Sequence, residues 1–362
     1  MVNPIVAEDL ERIHLALNPR EKFSDSTVIV TGCAGFLGFY FMQYLVGYAD
    51  KLGIRKVIGL DTFLLEKPKW LQNLAGRYPN LLDLRAFDIS RDDISTIPGA
   101  AEARYVIHGA SVASPTFYRK YPVETIDANI WGLRHLLDFY RGKTSLKGFL
   151  FFSSSEIYGD PDPGHIPTDE EYRGLVSCTG PRACYDESKR FGETICWVYA
   201  KQYGMPLTIS RPFNNFGPGM RVNDARLPAD FAKCVLENRD IIILSDGKPT
   251  RTFCYVSDAV TGYLLCLLYG QYDYFNIGTE TPETAVRDFA KIYQSAGKEI
   301  FGYNGNVQYE TSNDPDYMTD NPNRRCPVIK KAQQKLGYNP TILVDEGVRR
   351  FLLFLKHEGH SA

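Results

Sequence analysis

The sequence has little charge imbalance, few tryptophans and no long apolar run. Its 362 residues carry 41 Lys and Arg against 43 Asp and Glu, a formal net charge of −2. This balance does not favour nucleic acid or an anionic membrane surface as a partner. The apolar runs are too short to cross a bilayer, and residues 1–22 lack the apolar core of a secretory signal. We therefore expect a globular cytoplasmic protein, long enough for two lobes.

The cysteines also lack any pairing pattern. All eight are scattered singly between Cys33 and Cys326, and no two form a C-x-x-C pair. This spacing argues against a zinc site and against a disulfide framework, and it favours a reducing compartment. We expect no metal centre.

A β-branched run followed by a glycine-rich turn forms the first recognisable unit. Thr27-Val-Ile-Val-Thr31 is typical of a buried parallel strand, Gly32-Cys-Ala-Gly35-Phe36-Leu37-Gly38 follows at once, and Phe39 to Tyr48 continues as an apolar helix. In this context the glycines permit a tight turn, and the helix N-terminus offers N–H groups to a pyrophosphate. The next strand, Lys56–Leu60, ends at Asp61, whose carboxylate can bind ribose hydroxyls and would repel a 2′-phosphate. The unit predicts NAD rather than NADP, with a loop-capping role for Asp61 as the alternative.

Strands and helices continue to alternate as far as residue 211. Further strands are predicted at Leu84–Phe87, Arg104–His108, Phe149–Phe152 and Leu207–Ser210, and helices over 123–140 and 185–203. Such alternation implies an α/β fold with a doubly wound, mostly parallel sheet of the Rossmann type. Ligands bind beyond the carboxyl ends of the strands in these sheets. We expect the strand-end residues to meet there: Asp61, Asp88, His108 and Ser154.

Tyr185 and Lys189 form a candidate base. On a helix, side chains four residues apart leave the same face. A neighbouring ammonium is expected to lower the pKa of the phenol toward neutral pH. Tyr-x-x-x-Lys is a loose pattern, and a chance occurrence among 23 tyrosines is the alternative.

The sequence changes character after Arg211. A turn-rich stretch, 212–219, leads into a region that carries Arg221, Arg226, Arg251 and Arg325. We predict an N-terminal helical extension (1–26), a dinucleotide-binding domain (27–211, rejoined by about 252–275) and a smaller mixed α/β substrate-binding lobe (212–251 and 276–362). Guanidinium groups suit a diphosphate, although a solvated surface charge is the alternative for each arginine taken singly.

Three motifs, in this order, resemble the extended short-chain dehydrogenase/reductases that act on nucleotide sugars. They are Gly32-x-x-Gly35-x-x-Gly38, Ser154-x-x-x-Tyr158-Gly159 and Tyr185-x-x-x-Lys189. Within that group, residues 154–161, 180–190 and 213–218 are most similar to the UDP-glucuronate decarboxylases. The resemblance implies oxidation of a UDP-sugar at C4 by NAD, loss of CO₂ from the 4-keto intermediate and re-reduction to a UDP-pentose, UDP-xylose. It also implies a homodimer formed by helices 123–140 and 185–203.

The resemblance and the strand-end positions together assign roles to individual residues. Catalytic roles are expected for Tyr185, Lys189, Ser154, Glu156 and Arg251. Cofactor contacts are expected from Gly32, Gly35, Phe36, Leu37, Gly38, Asp61, Asp88, Ile89, Ala110 and Asn129, besides Tyr185 and Lys189. Substrate contacts are expected from Ser111, Tyr118, Asn214, Arg226 and Arg325, besides Glu156 and Arg251.

Glu156 separates related activities within the resemblance. The 4,6-dehydratases have Asp-Glu after a threonine at this point, and 4-epimerases usually have a small or apolar residue where Glu156 stands. The chain departs from the decarboxylases at Asn215, at Gly219-Met220-Arg221, and at Asp230, where they carry an Asn that helps to hold the diphosphate. Because of these departures, the sequence does not determine which nucleotide base and which sugar the protein binds. A 4-epimerase and a non-catalytic nucleotide-binding protein are the alternatives.

Overall fold

The structure is a computed structural model that describes residues 3–312 and 322–359. Its strands, in chain order, are β1 (Ser26–Thr31), β2 (Ile54–Asp61), β3 (Leu82–Ala86), β4 (Tyr105–His108), β5 (Gly148–Phe152), β6 (Leu207–Pro212), β7 (Asn215–Phe216), β8 (Ile241–Ile243), β9 (Thr250–Thr252), β10 (Cys254–Tyr255), β11 (Asp273–Ile277), β12 (Glu283–Ala285), β13 (Val307–Tyr309) and β14 (Arg324–Arg325). Its helices are α1 (Pro4–Ala16), α2 (Phe36–Gly47), α3 (Ala49–Leu52), α4 (Lys69–Arg77), α5 (Pro115–Lys120), α6 (Pro122–Ile126), α7 (Leu133–Tyr140), α8 (Ala183–Tyr203), α9 (Leu227–Leu236), α10 (Val256–Tyr269), α11 (Val286–Phe301), α12 (Lys330–Leu336) and α13 (Val344–His357).

A seven-stranded sheet forms the centre of the molecule. Its spatial order is β11-β6-β5-β4-β1-β2-β3, and all neighbouring strands are parallel. Every residue of β1 is buried, as its run of β-branched side chains predicts for a strand covered on both faces. The strand order changes direction at β1, because β2 and β3 follow on one side of it and β4, β5 and β6 on the other. In such sheets ligands bind at this switch point, between β1 and β4. The predicted α/β doubly wound fold is confirmed.

Among the described residues, the later part of the chain adds three small sheets. They have the orders β10-β7, β12-β9-β14 and β13-β8. β11 lies at the edge of the central sheet beside β6. The division of the chain into an extension, a cofactor domain and a lobe stays a prediction.

The predicted helix 123–140 contains a π-helical segment, Asp127–Gly132, between α6 and α7. A π turn holds an extra residue and so rotates the faces on either side of it relative to one another. Helical spacing places Ile126, Ile130, Leu133 and Leu137 on one face. Leu133, Leu136 and Leu137 are buried, whereas Ile126 and Ile130 are only half-buried. Asn129 is fully buried instead.

The N-terminal helix α1 packs on its own chain, against α2, α10 and α13. Leu10 and Ile13 are buried on one face, as their spacing predicts. Asp9, on the same helix, is also fully buried. Its partners come from three other parts of the chain: Tyr40, Tyr255 and Arg350.

All eight cysteines are free. Within residues 3–312 and 322–359, no group of three or more His, Cys, Asp or Glu side chains is arranged to hold a metal ion. None of the described helices combines the length and apolar character needed to cross a membrane.

Candidate active site

A cavity of about 960 Å³ opens beyond the carboxyl ends of β1 and β4 and extends to α9. This volume is at the large end of the roughly 300–1,000 Å³ typical of small-molecule sites. The expected site residues that line it are Gly32, Gly35, Phe36, Leu37, Gly38, Asp61, Asp88, Ile89, Ala110, Ser111, Tyr118, Ser154, Glu156, Tyr185, Lys189, Asn214, Arg226 and Arg251. Asn129 and Arg325 are buried beside it.

The glycine turn forms one end of the cavity and has no room for side chains. Gly32 has φ +73°, and a Cβ there would lie 2.7 Å from the carbonyl carbon of Gly109. A Cβ on Gly38 would lie 2.6 Å from the carbonyl oxygens of Gly32 and Cys33. The first helical hydrogen bond of α2 runs from Phe39 N–H to the Gly35 carbonyl. The preceding N–H groups of α2 are therefore available to an anion in the cavity.

Asp61 holds the turn and also faces the cavity. One carboxylate oxygen accepts from Ala34 N–H at 2.9 Å and the other from Phe63 N–H at 2.8 Å. Burial raises the pKa of Asp61, while these two hydrogen bonds and the charge of Arg221 act to lower it. Asp61 therefore caps the loop, as the alternative interpretation predicts, and its carboxylate still lines the cavity.

Tyr185 and Lys189 lie one turn apart on α8, and both are almost fully buried. Lys189 Nζ donates to the Phe152 carbonyl at 2.7 Å and lies 5.6 Å from the centre of the Tyr185 ring. Burial lowers the pKa of Lys189 to about 7 and raises the pKa of Tyr185 to about 12, partly offset by a hydrogen bond from Ser154. The expected lowering of the Tyr185 pKa by Lys189 is therefore wrong for the chain by itself. Burying the phenolate costs more solvation free energy than the hydrogen bond from Ser154 regains, and Lys189, whose pKa of about 7 leaves it half-charged near pH 7, does not offset the rest.

Asn129 reaches the backbone of α8 through a serine. Its Nδ2 donates to Ser188 Oγ at 2.9 Å, and Ser188 Oγ donates to the Tyr185 carbonyl at 2.9 Å. Asn129 Oδ1 is buried and has no hydrogen-bond partner among the described residues. The π-helical segment thus places this amide below the Tyr185 turn.

Glu156 lies among arginines from three elements. Arg182, which precedes α8, donates to Glu156 Oε2, and Arg325 of β14 donates to the same oxygen at 3.0 Å. Burial raises the pKa of Glu156, but the charges of Arg325, Arg182 and Arg251 outweigh it and hold the pKa below its usual value. The cluster therefore combines one carboxylate with three guanidinium groups.

Arg182 was missed by the sequence reasoning. It stands three residues before Tyr185, a spacing that places two side chains on one helix face, so this signal was available. Arg182 also approaches Asp186 at 3.5 Å. Burial and the charge of Glu156 raise the pKa of Asp186 to about 7, so near neutral pH this acid only partly offsets the cluster's positive charge.

The other expected substrate residues that line the cavity include Tyr118, Arg226 and Asn214. Tyr118 stacks on Tyr185 with ring centres 5.1 Å apart and planes 12° apart, and its buried hydroxyl has no partner in the described structure. Arg226 forms a two-point ion pair with Asp224, in which Nη2 lies 2.9 Å from Oδ2. Asn214 donates to the Thr252 carbonyl at 3.1 Å.

Comparison with known proteins places the chain in a family. Residues 28–278 match the NAD dependent epimerase/dehydratase family. UDP-glucuronic acid decarboxylase 1 of Xenopus tropicalis is 31% identical over 355 residues, which cover 97% of this chain and 78% of the relative. UDP-glucuronic acid decarboxylase 6 of Arabidopsis thaliana is 33% identical over 325 residues, covering 90% and 87%. The solved structure of UDP-glucose 4-epimerase with UDP-glucose from Thermotoga maritima is 26% identical, covers 92% of this chain and 99% of its own, and gives a TM-score of 0.75. The chain belongs to the NAD-dependent epimerase/dehydratase family.

Proposed function

We propose that the protein is an NAD-dependent decarboxylase that converts UDP-glucuronate to UDP-xylose. The observation that carries this proposal is the cluster of Arg182, Arg251 and Arg325 around Glu156. A sugar carboxylate needs an excess of positive charge beside it, whereas a neutral hexose has no such need. The similarity to relatives named UDP-glucuronic acid decarboxylase supports the same substrate.

The glycine-turn end of the cavity fits NAD. The side-chain-free turn and the open N–H groups of α2 suit a pyrophosphate, and Asp61 provides a ribose acceptor at the cavity wall. Asp88, Ile89 and Ala110 line the same end. When bound, NAD supplies the hydride acceptor for C4 oxidation and the hydride donor for the closing reduction.

Tyr185, Ser154 and Lys189 perform the proton chemistry in this proposal. Tyr185 takes the proton of the C4 hydroxyl, and Ser154 donates a hydrogen bond to the same oxygen. The resulting ketone is β to the C6 carboxylate, so the electrons released with CO₂ pass into an enolate whose oxygen Tyr185 and Ser154 contact. The enolate then takes up one proton at C5, supplied by solvent, and Tyr185 returns its proton to the C4 oxygen in the closing reduction. The Tyr185 pKa of about 12 must fall in the complex, and the positive charge of an oxidised nicotinamide acts in that direction.

The test compares an anionic with a neutral substrate. We expect NAD-loaded protein to release CO₂ from UDP-glucuronate and to form a UDP-pentose, detected by mass spectrometry, and to leave UDP-glucose unchanged. Tyr185→Phe serves as the control, because it should bind NAD but form no product. Turnover of UDP-glucose without turnover of UDP-glucuronate would sink the decarboxylase proposal.

A 4-epimerase is the second candidate, favoured by the Thermotoga maritima neighbour. It uses the same roles for Tyr185, Lys189 and Ser154 but has no need of Glu156. Glu156→Gln separates the two, since a decarboxylase should lose activity with its arginine cluster disturbed and an epimerase should tolerate the change.

We also propose a homodimer formed through α6, α7 and α8. Val123, Trp131, Phe191 and Trp197 lie on α6, on the π-helical segment and on α8, and each is more than half exposed. Large apolar side chains clustered at a surface mark interaction sites. A cytoplasmic location is proposed as well, and the eight free thiols support it.

A further inference from the structure

An acid that has no partner among residues 3–312 and 322–359 lines the cavity. Asp230, in the first turn of α9, is half-buried and lines the cavity together with Arg226. Its carboxyl group has no hydrogen bond or ion pair with any residue in the described ranges. The carboxylate of Asp224 already pairs with Arg226 at two points. The charge of Arg226 is therefore met before any ligand arrives, and an ionised Asp230 would add to the cavity wall a negative charge in excess of this ion pair.

A nucleotide sugar makes that excess unfavourable. The proposed function brings a diphosphate, with two negative charges, toward Arg226, and like charges a few ångströms apart in a poorly solvated site repel strongly. A protonated carboxyl group removes the repulsion and adds a hydrogen-bond donor. The same position can thus oppose or support binding, and its protonation decides which.

The surroundings of Asp230 favour the protonated form. Burial and the charge of Asp224 together raise the pKa of Asp230 to about 6, although Lys233 and Arg239 act to lower it. Asp224 and Arg226 precede α9, Lys233 lies on α9 and Arg239 follows it. A bound diphosphate would add negative charge to this set and favour protonation more strongly.

We propose that Asp230 binds the diphosphate of the substrate as a neutral carboxylic acid, so that each nucleotide sugar that binds takes up one proton from solvent. The inference rests on the proposed function, because it takes a nucleotide sugar as the ligand. Asp230 does not touch the reacting sugar carbons in this account. Its effect therefore falls on KM, which rises with pH above about 6, and kcat is unaffected.

The experiment measures protons taken up on binding. UDP-glucuronate is titrated calorimetrically into NAD-loaded Tyr185→Phe protein in buffers of different ionisation enthalpy, between pH 6 and 8. The Tyr185→Phe background prevents turnover, which would itself consume a proton, and no group of UDP-glucuronate titrates in this range. At pH 7.5 we expect close to one proton per ligand, and an affinity that falls by up to about tenfold per pH unit.

Asp230→Asn in the same background keeps the shape and supplies a permanent donor. It should bind with almost no proton uptake and with an affinity that is constant over this pH range, at least tenfold tighter than the parent at pH 8. Asp246→Asn removes an exposed acid and should behave as the parent.

Each other outcome has a defined meaning. Proton uptake that persists in Asp230→Asn, or a parent that binds with no uptake, overturns the inference and leaves the decarboxylase proposal standing. Weaker binding of Asp230→Asn at every pH also overturns it, because the carboxylate would then accept a hydrogen bond from the ligand. Absence of UDP-glucuronate binding to the parent at pH 6 removes the proposed function, and the inference with it.

Discussion

Lys189 is an amine held in a site that excludes water, with 3% of its surface exposed. Burial lowers its pKa from 10.5 to about 7. Between these two values the unfolded chain holds a proton that the folded chain has lost, so the free energy of unfolding rises with pH in that window. Below about pH 7 the amine is charged in both states, and the full cost of burying the charge is present.

Lys189→Met should abolish turnover and at the same time stabilise the protein. The gain in the free energy of unfolding should be larger at pH 6 than at pH 9 by about 2 to 3 kcal/mol, measured by urea denaturation. Lys201→Met, at an exposed position of the same helix, should change stability by less than about 0.5 kcal/mol at either pH. An equal gain for Lys189→Met at both pH values would show that burial does not lower the pKa of Lys189.

Arg182 should determine the preference for an anionic sugar. Its side chain is 13% exposed and is shared between Glu156 and Asp186. Arg182→Met should lower kcat/KM for UDP-glucuronate by at least about a hundredfold, as expected for the loss of a largely buried charge partner. Calorimetric binding of UDP-glucose should change by less than about threefold, since a neutral sugar does not use this charge. Equal losses for both ligands would mean that Arg182 only maintains the shape of the site.

At the residue scale, spacing located side chains but not their ionisation. The strand-end rule brought Asp61, Asp88 and Ser154 to one cavity, as expected. It was wrong for His108, which is buried and hydrogen-bonded to Thr31 at 2.9 Å. The same reasoning could not give the pKa values of Tyr185 and Lys189, because desolvation depends on how completely the folded chain covers each group. It also could not show that Asp224 pairs with Arg226, or that Asp230 has no partner in the part of the chain that the structure describes.

At the scale of elements, the turn between β1 and α2 requires a glycine at position 38, whereas Gly47 at the end of α2 can be replaced. Gly38→Ala places a Cβ 2.6 Å from two carbonyl oxygens of the turn. It should lower the free energy of unfolding by about 2 kcal/mol or more and weaken NAD binding. Gly47→Ala, at the last residue of the same helix, meets nothing within 4 Å and should be neutral or stabilise by up to about 1 kcal/mol. Thermal unfolding with and without NAD measures both effects, and similar behaviour of the two variants would contradict this account of the turn.

The elements that sequence patterns predicted are the long periodic ones. The six strands up to β6 and the helix α8 have enough residues to show a period or a continuous apolar run. β7, β10 and β14 have two residues each, too few to show any period. The π-helical segment Asp127–Gly132 could not be recognised from the apolar pattern, because a π turn shifts the phase of a helix but does not interrupt the helix.

At the scale of the whole molecule, Asp9 joins distant parts of the chain. It accepts hydrogen bonds from Tyr40 at 2.5 Å and Tyr255 at 2.7 Å, and Arg350 lies 2.8 Å away. Asp9→Asn should lower the free energy of unfolding by about 3 to 5 kcal/mol, because it leaves Arg350 without its buried counter-charge. Glu8→Gln removes a 61% exposed partner of the same arginine and should change stability by less than about 1 kcal/mol. Denaturant unfolding compares the two, and equal small effects would show that the hydrogen-bonded cluster around Asp9 contributes little to stability.

The surface formed by α6, α7 and α8 is the proposed dimer interface, and a substitution in it tests whether the protein dimerises there. A second copy of this surface would cover Trp131 and Trp197, which are 54% and 51% exposed in one chain. We expect sedimentation to give twice the chain mass of 41.0 kDa for the unmodified protein and the mass of one chain for Trp197→Asp, because burying an unpaired carboxylate in an apolar interface costs several kcal/mol. Leu15→Asp changes a 65% exposed residue of α1, outside this surface, and should remain a dimer. If Trp197→Asp still sediments as a dimer, the interface lies on another face of the protein. Because α8 also carries Tyr185, a monomeric variant with full activity would show that dimerisation is not needed to hold the catalytic helix in place.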